Sequence, residues 1–113
     1  MQPQASGNIL YLIDFPDLSG TTAGWVEWSQ DPSGGDPGDS MRVTDSWADG
    51  YGVEADLDIS SSNFRIATTA GHNSPYTSKW ASGNLPERHK YNMDIWMVKG
   101  GQHTWVDSIT VTS

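Results

Sequence analysis

The 113-residue sequence predicts an all-β fold, and three observations carry that prediction. Residues 51–59 alternate without a break, with Tyr51, Val53, Ala55, Leu57 and Ile59 set against Gly52, Glu54, Asp56 and Asp58. Side chains of a strand point to opposite faces with period two, so one face of this strand is apolar and the other carries three carboxylates. Residues 91–98 repeat the pattern, with Tyr91, Met93, Ile95 and Met97 against Asn92, Asp94, Trp96 and Val98. No stretch holds the 3.6-residue period of an amphipathic helix over a useful length. The expected architecture is one compact β-sandwich, Ig-like or jelly-roll-like, of about eight short antiparallel strands.

Taken in order, residues 1–8 form a polar segment with Pro3 and Gly7. They read as a flexible N-terminal arm ahead of a single domain spanning 9–113. Ile9 to Ile13 is apolar on both faces, which predicts a strand buried between layers. Asp14 to Gly20 is a loop. Trp25-Val26-Glu27-Trp28 is a short strand with Trp25 and Glu27 on one face and Val26 and Trp28 on the other. Ser29 to Ser40 holds three Gly, two Pro and three Asp, a composition that forbids helix and favours turns. Met41 to Asp45 is strand-like. Val53 to Ile59 then pairs with Phe64 to Thr69 through the polar turn Ser60–Asn63, a β-hairpin. Phe64, Ile66 and Thr68 share one face of the second strand. Residues 70–88 are irregular, with Tyr76 and Trp80 placed to fold back over the core. Lys99-Gly100-Gly101-Gln102 is a hairpin turn by composition, and residues 103–112 close the chain.

The bulk numbers narrow the function classes. Fourteen acidic residues oppose six basic ones, for a net charge of −8. Phosphate backbones and anionic membrane surfaces demand the opposite balance, so nucleic acid and membrane are not expected partners. The chain has no cysteine, which excludes a disulfide framework and a cysteine zinc site. No basic residue precedes the five-residue apolar run at Ile9, so no signal peptide is expected, and the run is too short to span a bilayer.

Candidate chemistry is sparse. Glu54, Asp56 and Asp58 make a comb of carboxylates spaced roughly 7 Å apart along one strand face, too wide to share one ion unaided. The expected reading is a solvated face whose charge blocks edge-to-edge aggregation, with a cation site as the alternative. Asp31, Asp36 and Asp39 sit in a Gly/Pro loop of the kind that ligates calcium, but their spacing lacks the EF-hand pattern. His72, His89 and His103 fall in separate loops with no metal-ligand spacing. The sequence holds no nucleophile elbow, no phosphate loop and no Cys nucleophile. A non-enzymatic protein without metal or cofactor is therefore expected. Six Trp in so short a chain exceed what one small core accommodates. Trp25, Trp28, Trp80 and Trp96 are the candidate binding residues, because exposed aromatics mark surfaces for protein partners or sugar rings.

From about Gly50 onward the sequence resembles small secreted β-rich proteins of actinobacteria, a group without an established activity. The resemblance rests on Gly50-Tyr-Gly-Val-Glu-Ala-Asp-Leu57, on Ser74-Pro-Tyr76 with Trp80-Ala-Ser-Gly-Asn-Leu-Pro86, and on Tyr91 to Lys99. Members usually carry paired cysteines. Here Thr44 and Thr77 stand where the resemblance places that pair. A protein of this ancestry made in a reducing cytoplasm and released in a particle fits the loss of cysteines and leader, and a bacteriophage of an actinobacterial host is the natural setting. The expected function is a virion accessory protein, a capsid decoration or tail-associated module docking on a larger protein assembly, with self-association into a homo-oligomer compatible with it. The alternative is an extracellular carbohydrate-binding module using exposed Trp residues.

Overall fold

Each alternating run becomes a strand with one buried side. The computed structural model describes residues 9–14, 22–30, 38–46, 51–86 and 88–113. The expected arm, residues 1–8, lies outside them. The described residues form eight strands and no helix: β1 (Ile9–Asp14), β2 (Thr22–Ser29), β3 (Ser40–Asp45), β4 (Gly52–Ser60), β5 (Asn63–Thr68), β6 (Tyr76–Thr77), β7 (Lys90–Lys99) and β8 (Gln102–Thr112). They build two antiparallel sheets, β1-β2-β3-β6 and β5-β4-β7-β8. The fold is the expected β-sandwich.

The core lies between the sheets. The first contributes Ile13, Val26, Trp28, Met41 and Val43; the second contributes Val53, Ala55, Leu57, Met93, Ile95 and Val111. Removing each large apolar side chain from water is worth roughly 1.5–3 kcal/mol. Hydrogen bonds also cross the layer. The Trp28 indole Nε1 donates to the Thr112 carbonyl at 3.1 Å, and the Tyr11 hydroxyl donates to Asp107 Oδ2 at 2.8 Å.

Register decides which apolar residues go inside. Ala55 of β4 faces Ala67 of β5, and Leu57 faces Arg65. Once the apolar side of β4 is committed to the core, Phe64 and Ile66 must occupy the opposite side, and both are exposed. Two expectations are corrected at the sheet edges. β1 is not buried between layers: Ile9, Tyr11 and Ile13 turn inward, while Leu10 and Leu12 are 61% and 55% exposed. Nothing packs over the outer side of an edge strand unless a loop crosses it. Tyr51, expected to begin the buried face of β4, is exposed ahead of the strand.

Two local devices shape the end of the second sheet. Gly100 and Gly101 both have positive φ (58° and 83°), as a tight two-residue hairpin between right-twisted strands requires. A bulge interrupts the β7–β8 ladder. Ile95 pairs with Asp107 and Trp96 with Trp105, leaving Val106 as the extra residue. The bulge lets Asp107 reach inward to Tyr11 while Trp105 stays on the outer face beside Trp96.

Candidate functional site

The outer face of the second sheet concentrates chemistry in rows fixed by pairing. Thr68, Glu54, Trp96 and Trp105 form one row across the four strands; Ile66, Asp56, Asp94 and Ser108 form the next; Phe64, Asp58, Asn92 and Thr110 form the third. Trp105 is 57% exposed. Its indole Nε1 donates to Ser108 Oγ at 3.3 Å, and Ser108 Oγ donates in turn to Asp94 Oδ1. Asn92 Nδ2 donates to both Asp94 Oδ1 and Asp58 Oδ2. A polar ladder thus runs from an exposed indole on β8 to the carboxylates of β4.

The carboxylate comb is not simply solvated, contrary to expectation. Glu54 is 9% exposed and its Oε2 lies 3.1 Å from Nε2 of His103, a strand residue of β8 and not a loop residue. The His103 ring also meets the Trp96 indole edge-on, with centroids 5.8 Å apart. Burial pushes the Asp56 carboxyl up to about 7, helped by a hydrogen bond with Glu54 and by the charges of Glu54 and Asp94, and opposed by His103. The Asp56 carboxyl therefore keeps its proton up to about neutrality.

The sign of the resulting pH dependence follows from linkage. A folded chain that holds the Asp56 proton up to about pH 7 binds more protons than the unfolded chain above the ordinary carboxyl range. That contribution is complete below the unfolded value of 3.8 and is lost as pH rises through about 7. Asp56→Asn keeps the neutral form at every pH. The melting temperature of the variant minus that of the wild type should therefore increase from about pH 5 to about pH 8. A difference that stays flat across that range would mean Asp56 ionises normally.

Glu54 and His103 also line a pocket of about 830 Å³ at the head of β4. Gly52 and Val98 belong to its lining, with the loop 69–74 on one side and the turn 99–101 on the other. A Cβ at Gly52 would come 2.7 Å from Thr69 Oγ1 and 3.1 Å from a Val98 methyl, so glycine permits this packing. The Thr69 hydroxyl accepts from the Val53 amide at 2.9 Å, which fixes the start of the loop. Asp45, 5% exposed, reaches the same pocket from β3, and Ser74 Oγ donates to its backbone carbonyl at 3.1 Å.

The four candidate tryptophans separate. Trp28 is corrected: it is 1% exposed and anchored to Thr112 in the core, so it meets no partner. It shares the inward side of β2 with Val26. Trp96 lies half-buried on the outer face of the second sheet. Trp25 and Trp80 belong to the outer face of the first. There the Arg42 guanidinium makes a two-pronged pair with Glu27, at 2.9 and 3.0 Å, and lies 4.4 Å from the Trp80 ring centroid. Pairing sets Leu10 beside Glu27 and Leu12 beside Trp25. Trp105 was not among the candidates, because the bulge that presents it has no simple sequence mark. Among the described residues no three His, Asp or Glu side chains converge to hold a metal ion. Asp31 and Asp36 lie outside the described residues, and Asp39 is a buried anchor whose Oδ2 accepts from the Leu85 amide at 3.2 Å. No protein-family model matches the chain, and it matches no curated protein and no solved structure.

Proposed function

We propose that the protein is a non-enzymatic docking module that attaches to a larger protein assembly through the outer face of its first sheet, with a phage virion as the setting. The observation that carries this reading is the pair Leu10 and Leu12, both more than half exposed on edge strand β1, continued by Trp25 on β2. Apolar anchors beside an aromatic-stacked arginine are the composition of protein interface cores. The Glu27–Arg42 pair supplies polar complementarity without leaving an unpaired charge to bury. The virion setting is supported by the resemblance and the acidic net charge, which keeps decorated particles apart in solution.

Leu10→Asp with Leu12→Asp tests the docking face without touching the core. In gradient sedimentation the wild-type protein should travel with the native particle and the double variant should remain at the top, with an unchanged melting temperature. Equal co-sedimentation of the variant would place the docking surface elsewhere. Wild-type protein found only free in culture fluid would end the reading.

A further inference from the structure

The outer face of the second sheet leaves large apolar groups uncovered at both edges. Phe64 and Ile66 on β5 are each 52% exposed, and Trp105 on β8 is 57% exposed. The strands between them carry carboxylates. Among the described residues, Asp58 of β4 and Asp94 of β7 accept side-chain hydrogen bonds from neutral donors, Asn92 Nδ2 for both and Ser108 Oγ for Asp94. No Lys or Arg among the described residues pairs with either carboxylate; Lys90 lies one row further along β7 and reaches neither. The Trp105 indole is held by its edge through Ser108, and no described ring or cation covers it.

Pairing sets Asp58, Asp94 and Trp105 on one diagonal, a strand and a row apart at each step. Such diagonal neighbours lie about 7–8 Å apart, which matches the roughly 7 Å between alternate side chains of an extended chain. We propose that this face binds an extended peptide segment of a partner protein, with basic residues at alternate positions. Two cations of the segment meet Asp58 and Asp94, a third lies over the Trp105 indole, and an apolar residue at the other end rests on Phe64 and Ile66. Charge complementarity selects this occupant. A second copy of the chain, at net charge −8, would set acid against acid, and nucleic acid would bring phosphates to the same carboxylates. The face shares no residue with the outer face of the first sheet, so either assignment stands or fails alone. The two faces lie on opposite sides of the sandwich, so both partners can be held at once.

Calorimetric titration tests the proposal with a capped heptapeptide that carries leucine, lysine, lysine and arginine at its odd positions and threonine between them. Saturable binding is expected, weakened as sodium chloride is raised from about 50 to about 500 mM. Asp58→Asn with Asp94→Asn should weaken binding about tenfold, the loss of two exposed ion pairs. Trp105→Ala should weaken it about threefold or more. Thermal melts confirm folding, and Trp105→Ala, at an exposed position, carries the test if the double variant does not fold. A peptide of the same composition with its three basic residues adjacent should bind more weakly, because alternate cations then point away from the sheet. Cellohexaose, a neutral sugar chain, should not bind. No binding of the alternating peptide, equal binding of the rearranged one, cellohexaose binding as tightly as the peptide, or full affinity in a folded variant would each overturn the assignment.

Discussion

Trp28→Ala is expected to destabilise the fold by about 3–5 kcal/mol, the usual cost of emptying a large buried aromatic site. The side chain is enclosed on every side by the core, so its removal leaves a cavity that two hydrogen-bonded sheets cannot easily close. A further cost of about 1–3 kcal/mol comes from the Thr112 carbonyl, which loses its indole donor. Whole-domain stabilities are only about 5–15 kcal/mol, so the variant should populate unfolded chain at ambient temperature. Guanidinium unfolding monitored by circular dichroism reads this directly. A loss below about 1 kcal/mol would mean that Trp28 is not a core residue.

The second large effect is a gain. Thr44 and Thr77, the positions at which the resemblance places a cysteine pair, are cross-strand partners on β3 and β6, and their hydroxyl oxygens lie 2.9 Å apart. Directly opposed antiparallel residues have Cα atoms about 4.5–5.5 Å apart, inside the range that a disulfide spans. Thr44→Cys with Thr77→Cys should therefore cross-link within one chain under mild oxidation. The loop-entropy model gives a stabilisation of about 2–4 kcal/mol for a loop of this size. Loss of the mass of two hydrogen atoms without dimer formation identifies the intramolecular bond, and comparing oxidised with reduced protein isolates its effect. Oxidation that yields only intermolecular dimers would show that β6 does not hold this register.

Sheet layering was legible where alternation was strict. Val53, Ala55 and Leu57 are inside as their period demanded, and so are Met93 and Ile95. Alternation says which residues share a side, but not which side meets the core when both carry apolar groups. Phe64 and Ile66 lost the inward positions to Ala67 and Arg65 because the register with β4 decides. In β1 every residue from Ile9 to Ile13 is apolar, so period two gives no preference, and edge placement is a property of the whole sheet. The candidate site was harder still. Glu54 and His103 are 49 residues apart in sequence and meet only because β7 lies between their strands. Trp105 depends on a one-residue bulge. Burial of part of the carboxylate comb follows from the neighbours that β7 and β8 supply, which composition does not encode.

The bond between Trp28 and Thr112 joins residues 84 positions apart, and it has a kinetic consequence. β2 leaves a ribosome well before β8, yet the group that satisfies its buried indole belongs to β8. The first sheet must therefore wait with an apolar face open until the second sheet closes over it. Such dependence on distant pairing raises contact order and slows folding relative to helical domains of equal size. During that interval the nascent chain is exposed to aggregation, and its carboxylates, at −8 net charge, provide electrostatic repulsion between incomplete copies.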